Sequence, residues 1–199
     1  MKNHYKYILL CSLCFSTLAC NSKTKSQARA AVPAADSIAQ IPAADADKDE
    51  KQFHTFFDAF RQAVKQNSKA GLENMLHFPL QTSPKWADED LKNMDVDKNA
   101  GKVSRQEFNQ YYKNIFTADV QRMLPKAVEE HLSEIGESNS EDYYRTLRQD
   151  IDPHTKMYEV YMQFPEPNTN AETYFAFVCG KVKGKYKIIS YYAKWPVKD

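Results

Sequence analysis

The stretch Phe53-His-Thr-Phe56-Phe57-Asp-Ala-Phe60-Arg-Gln-Ala-Val64 decides the fold. Its apolar residues recur at i, i+3, i+4, i+7 and i+11, which places them on one face of an α-helix. A stripe this rich in aromatics needs an apolar surface to lie against. The far end of the chain offers one. In Met157-Tyr-Glu-Val-Tyr-Met-Gln-Phe164, Tyr158, Val160, Met162 and Phe164 fall on one side, and Glu159, Tyr161 and Gln163 on the other. That is the period of a strand with one buried and one solvated face. Pro165 and Pro167 end it. Thr173–Val182 and Lys185–Trp195 predict two further strands, joined by a tight turn at Gly184. Helices first and strands last predict an α+β fold, with N-terminal helices packed on a C-terminal antiparallel sheet.

The middle of the chain fills in that frame. Asn67 and Ser68 break the first helix. Leu72, Met75 and Leu76 suggest a shorter second helix that ends before Phe78-Pro79-Leu80, and Pro84 and Trp86 mark a loop. Ser104-Arg-Gln-Glu107 is a capping box, in which serine and glutamate can each satisfy the other's backbone N–H. Phe108, Tyr111, Tyr112, Ile115 and Phe116 follow at helical spacing. Asp119–Ile135 reads as continued helix, restarted at Pro125. Residues 136–141 are polar and loop-like, and Tyr143–Gln149 fits helix or strand equally. Lys181, Lys183, Lys185 and Lys187 cluster at the last hairpin, where they would shield an edge from aggregation.

The apolar pattern Phe53-x-x-Phe56-Phe57-x-x-Phe60-x-x-Ala63-Val64, then Phe78-Pro79-Leu80, then Ser104-x-x-Glu107-Phe108-x-x-x-Tyr112-x-x-Ile115-Phe116, resembles a group of small bacterial lipoproteins. These are similar in organisation to NTF2-like, or cystatin-like, cone folds. The resemblance covers about residues 52–195. It implies a curved sheet wrapped round a long helix, with a pocket that hosts enzymes, binders or scaffolds in different members. Function has to be argued from the site.

The chain also carries an address. Lys2 and Lys6 precede an apolar run from Ile8 to Ala19, too short to span a bilayer, so residues 1–19 read as a signal peptide. Ser16-Thr17-Leu18-Ala19-Cys20 resembles a lipobox, at which bacteria lipidate a cysteine and cleave before it. Ala19 fits; Thr17 departs from the usual leucine. The expectation is an exported lipoprotein anchored in a cell-envelope membrane through Cys20. Cys11-x-x-Cys14 lies within this leader, outside any fold that would make it a redox or zinc pair. Residues 20–50 hold the lipidated cysteine and a stretch with Pro33 and Pro42 and no aromatic, which reads as a disordered tether spanning about 30 Å. A single α+β domain is expected over 51–199.

Composition narrows the function classes. The 27 basic and 26 acidic residues nearly balance, and losing Lys2 and Lys6 with the leader leaves a formal charge of −1. A near-neutral domain without a basic stripe excludes nucleic acid as the expected partner. The expected partners are the membrane, through the lipid anchor, and an envelope ligand or protein. No HExxH, P-loop, G-x-S-x-G or dinucleotide motif occurs. Cys179 sits in an apolar strand and reads as an inert buried thiol. His54, His77, His131 and His154 lack zinc spacing.

The sharpest motif is Asp95-Val-Asp97-Lys-Asn99-Ala-Gly101-Lys-Val103-Ser-Arg-Gln-Glu107. It resembles an EF-hand calcium loop, with Asp95, Asp97 and Asn99 as alternate oxygen ligands, Gly101 at the tight turn and Glu107 as the closing carboxylate. Ala100 adds one residue, making 13 where the family uses 12. Calcium is the one cofactor this suggests. The other reading is a polar loop leading into a capped helix. Three functions stay open: a non-catalytic binding or accessory domain, a calcium-binding protein through 95–107, and an enzyme working in the cone pocket with Glu159, Tyr161 or Asp150 as acid or base.

Overall fold

The computed structural model describes residues 43–93, 96–166 and 168–198. Cys20, the leader and most of the expected tether lie outside them. Helix α1 runs over Ala43–Lys65. It begins ahead of Lys51, where order was expected to start. Asp49, in its early turns, accepts from the Tyr186 hydroxyl at 2.8 Å and pairs with the Lys181 ammonium. Two contacts with the last hairpin thus hold a segment whose composition alone gives no reason to fold. Phe53, Phe57, Phe60 and Val64 are buried along α1, as the stripe predicts, while Phe56 is only partly covered. Phe53 stacks on Tyr158 at 3.8 Å between centroids, and Phe60 meets Phe177 edge-on at 5.2 Å. Asn67 ends the helix at φ 50°. Its N–H reaches Val64 O and that of Ser68 reaches Ala63 O, both at 3.0 Å, a Schellman closure in which asparagine takes the left-handed position.

Helix α2 covers Lys69–Met75 and leads directly into strand β1, Leu76–Gln81. Helices α3 (Asp90–Asn93), α4 (Phe108–Ile115) and α5 (Ala118–Met123) follow, then 3-10 turns at Leu124–Lys126 and Glu129–His131. Strand β2 is Leu132–Ile135, and α6 is Asp142–Leu147 with a 3-10 turn behind it. Strands β3 (Met157–Pro165), β4 (Glu172–Val182) and β5 (Lys185–Ala193) close the chain. Among the described residues no helix is long and apolar enough to cross a membrane.

The sheet has five strands in the order β1-β5-β4-β3-β2 and is open. The α+β class holds, but the sheet is mixed rather than antiparallel: β1 lies parallel to β5. β1 alone makes the sheet mixed, and it is one of two short strands beyond the three expected. Leu76 reads as the end of the second helix and Phe78-Pro79-Leu80 as the segment beyond it, yet an edge strand tolerates a proline with no N–H to donate. Its pairing is sparse, Leu76 to Ile188 and Gln81 to Ser190, with an irregularity between. Leu80 finds a second partner in Val103, exchanging both backbone bonds at 2.8 and 2.9 Å. The second is Leu132–Ile135, read as helix after Pro125. That proline sits in a 3-10 turn, and the four residues beyond pair with Met157–Val160.

Both faces of the sheet are covered. The inner face packs α1, α4 and α5 against Tyr158, Val160, Phe175, Phe177, Ile188 and Tyr191. The outer face carries a second core: Met157, Ala176, Val178, Ile189 and Tyr192 under Trp86, Tyr143, Tyr144 and Leu147. A bulge in β5 allots side chains between them. Val178 pairs with Ser190 and Cys179 with Ile188, so Ile189 is an extra residue. After it the alternation inverts, sending Tyr191 inward and Tyr192 outward.

Candidate functional site

The outer face supplies the candidate site. The segment around Trp86 is stitched to the start of α6. Trp86 Nε1–H donates to Asp142 Oδ2 at 3.2 Å, the Asp142 N–H donates to Asp88 Oδ1 at 2.9 Å, and the Trp86 ring meets Tyr143 edge-on at 4.7 Å. Lys98 Nζ lies 2.6 Å from Asp142 Oδ2 and Arg145 2.7 Å from Oδ1. The Lys98 hydrogen bond leads in holding the Asp142 carboxyl below its ordinary range; Arg145 and Trp86 add to it against burial. Tyr143 shares a 2.6 Å hydrogen bond with Ser190 Oγ in the sheet. These contacts fix α6 over β3–β5 and set Tyr144 beside Glu159.

Glu159 is the centre of the arrangement. It lies on β3 and is only 8% exposed, so the expected solvent side of that strand is covered at Met157 and Glu159, while Tyr161 is partly exposed and Gln163 open to solvent. Its Oε1 accepts from the Tyr144 hydroxyl at 2.7 Å and the Tyr192 hydroxyl at 2.8 Å. Burial, then the Glu159 charge, pushes both phenols far above their ordinary range, so they stay protonated donors. Lys85 Nζ donates to Tyr144 Oη at 2.9 Å and pairs with Glu141 at 2.8 Å. Above Glu159 opens a cleft of about 540 Å³, walled by Lys85, Trp86, Glu141, Tyr161, Tyr174 and Tyr192. Tyr161 and Tyr174 stack at 5.6 Å and are partly exposed at its rim. The volume suits a small organic ligand.

The structure brings Glu159 and Tyr161 together as cleft neighbours, while Asp150 sits in an exposed turn away from them. Cys179 is fully buried and burial pushes its thiol up, which keeps it protonated. His54 lies 3.8 Å from Glu50 and 4.0 Å from Glu129 at the side of α1, and burial lowers His77. The described residues contain no group of three His, Cys, Asp or Glu placed to hold a metal.

The EF-hand-like segment is built around other partners. Asp95 lies outside the described residues. Asp97 Oδ1 accepts from the N–H of Asn99 at 2.9 Å, closing its own turn, and Asn99 Oδ1 accepts from Lys102 at 3.1 Å. Gly101 takes φ 69°, the left-handed conformation a tight turn needs. Side chains at the end of β1 hold the loop's carbonyls: Gln81 on Lys98 O at 3.0 Å, Thr82 on Gly101 O and Ser83 on Ala100 O. Glu107 Oε2 accepts from Ser104 N at 2.9 Å, and Glu107 N donates back to Ser104 Oγ at 3.3 Å. That is the reciprocal box, one turn ahead of α4.

Compared with known proteins, the chain matches no family model and no curated protein in sequence. The sequence offers Glu159 and Tyr161 as pocket residues but not the other walls of the cleft, because β3 alternates as a half-solvated strand should. The available signal was the company Glu159 keeps: Met157 and Tyr161 on its own side of the strand, and a Tyr143-Tyr144 pair able to cover that side.

Proposed function

We propose that this chain is an exported envelope lipoprotein, anchored through Cys20, whose α+β domain is a non-catalytic binding module with its ligand site in the outer-face cleft. The observation that carries the binding reading is Glu159, buried beneath an aromatic-walled opening and held there by two tyrosine hydroxyls. Binding is favoured over catalysis because both hydroxyls are donors committed to the carboxylate and too weakly acidic to serve as bases at neutral pH. The lipoprotein assignment rests on the lipobox-like Ser16–Cys20 and the leader before it. The finer fold assignment, an NTF2-like cone, rests on the resemblance of residues 52–195 and is supported by the long α1 lying on one face of the sheet. In that assignment the aromatic core fills the space under α1, which turns attention to the opposite face.

Two experiments test these parts separately. Cys20→Ser should move the protein from the membrane to the soluble fraction; an unchanged distribution would refute the lipid anchor. A thermal-shift panel of sugars, amino acids, amines and dicarboxylates should give a stabilising compound whose effect disappears in Tyr161→Ala. A stabiliser indifferent to that change would place the ligand elsewhere.

A further inference from the structure

We infer that the cleft recognises an organic ammonium cation, such as a primary or quaternary alkylammonium group. The inference rests on the cleft being a ligand site and adds the chemistry of what it takes.

Among the described residues Asp142 and Glu159 are buried and Asp49 is largely covered, and the three are treated differently. Asp142 has Lys98 and Arg145 within 2.7 Å, and Asp49 has Lys181. Glu159 has no lysine, arginine or histidine within ion-pair distance among the described residues. Its Oε1 takes both tyrosine hydroxyls, while Oε2 has no protein partner among them and is not among the sealed-off polar atoms. Burying a carboxylate without an opposite charge is costly, and neutral hydroxyls offset only part of that cost.

The nearest cation, Lys85, does not supply the missing charge. Its ammonium is matched by Glu141 at 2.8 Å and reaches Glu159 only through the Tyr144 hydroxyl. Lys85, Glu141 and Glu159 therefore leave the lining with a net charge of −1. An anion would meet Glu159 head on, and a neutral ligand would leave it uncompensated. The walls fit a cation as well. Trp86, Tyr161, Tyr174 and Tyr192 line the opening, and aromatic faces attract alkylammonium groups most strongly where water is excluded. A carboxylate floor under aromatic walls combines both attractions. The volume of about 540 Å³ takes a substituted ammonium rather than a bare metal ion.

The test uses the full chain in detergent, with choline, butylammonium and spermidine as probes in calorimetry and thermal melts at constant ionic strength. The control is 3,3-dimethylbutan-1-ol, which has the shape of choline without its charge. At least one ammonium probe should bind at millimolar concentration, about tenfold or more tighter than its neutral counterpart. Glu159→Gln and Tyr161→Ala should each weaken it about tenfold or more, with circular dichroism unchanged. Because Glu159→Gln can disturb the buried tyrosines, Tyr161→Ala at the rim and the neutral control stand independently of it. Equal binding of the neutral compound, or no binding by any ammonium, overturns the inference. A neutral or anionic ligand lost in Tyr161→Ala would overturn the cation and keep the cleft. No ligand of any class sensitive to Tyr161→Ala would remove both.

Discussion

Lys198 Nζ lies 2.7 Å from Glu107 Oε1 and also donates to the carbonyl of Lys102 at 3.1 Å, so the end of the chain is fastened to the loop that precedes α4. The Lys198 hydrogen bond is the main reason the Glu107 carboxyl falls from 4.5 to about 2, with the backbone and hydroxyl of Ser104 adding to it. A carboxyl depressed in the folded state stabilises above its unfolded value and loses that contribution as pH falls through the folded one. Glu107→Gln should therefore lower the melting temperature at neutral pH, and the gap from wild type should close between about pH 4.5 and pH 2. Melts of both proteins across that range check it. A gap that does not change with pH would mean the box acts through its geometry and not its charge.

The same lysine bears on calcium. In a twelve-residue EF-hand frame ending at Glu107, Lys102 O and Glu107 stand at positions 7 and 12, two of the oxygens the ion would need. The ammonium of Lys198 is bonded to both. Calcium at about 1 mM, the level at which extracellular sites work, should leave the melting temperature of the full chain unchanged. A rise that Glu107→Gln abolishes would show that the loop exchanges its lysine for the metal.

Within the aromatic stripe of α1, position decides the cost of truncation. Phe60 is fully buried between Phe116 and Phe177, and Phe60→Ala should cost about 3–5 kcal/mol. Phe56 packs at the margin against Phe60 and Tyr186, and Phe56→Ala should cost less than half as much. Chemical denaturation of the two variants measures the ratio. Similar losses would mean that Phe56 is as deep in the core as Phe60.

Two glycines share a positive φ but not their surroundings. Gly184, at φ 73°, has nothing within 4 Å of a built Cβ, so Gly184→Ala should cost only the backbone strain, about 1 kcal/mol. Gly101, at φ 69°, would set a Cβ 2.5 Å from Ser83 Oγ and 2.8 Å from the Ser83 nitrogen. Gly101→Ala should be clearly the more destabilising of the pair in urea denaturation. Equal losses would mean that the 96–103 loop moves off β1 at little cost.

Legibility followed the strength of local periodicity. Helices α1 and α4 and strands β3–β5 repeat their apolar residues often enough to be read directly. β1 and β2 do not. Each is a short edge strand, and what makes Leu76–Gln81 a strand is Ile188 and Ser190, far along the chain. The candidate site was hidden for a related reason. Plain alternation along β5 puts Tyr186, Ile188 and Tyr192 on one side, whereas the bulge at Ile189 turns Tyr192 to the other, where its hydroxyl meets Glu159. One extra residue, set by pairing with β4, decides whether the carboxylate has its second donor. Turn chemistry was legible at Gly184 and Asn67. The pinning of the last turn by Asp152, whose two oxygens accept from Lys183 N at 2.8 Å and Gly184 N at 2.6 Å, was not.

The parallel pairing of β1 with β5 also sets a timetable. Ser190 Oγ binds the carbonyl of Gln81 across 109 positions of chain. A ribosome releases α1 and β1 long before β5 exists, and domains are made from their N-terminal ends. Through most of synthesis the phenylalanines of α1 have no sheet to dock on, and β1 has no neighbour. Contacts this distant in sequence also close slowly. The apolar face of α1 and the open edge of β1 consequently wait uncovered until the last strand emerges, so the fold closes in one late step rather than element by element.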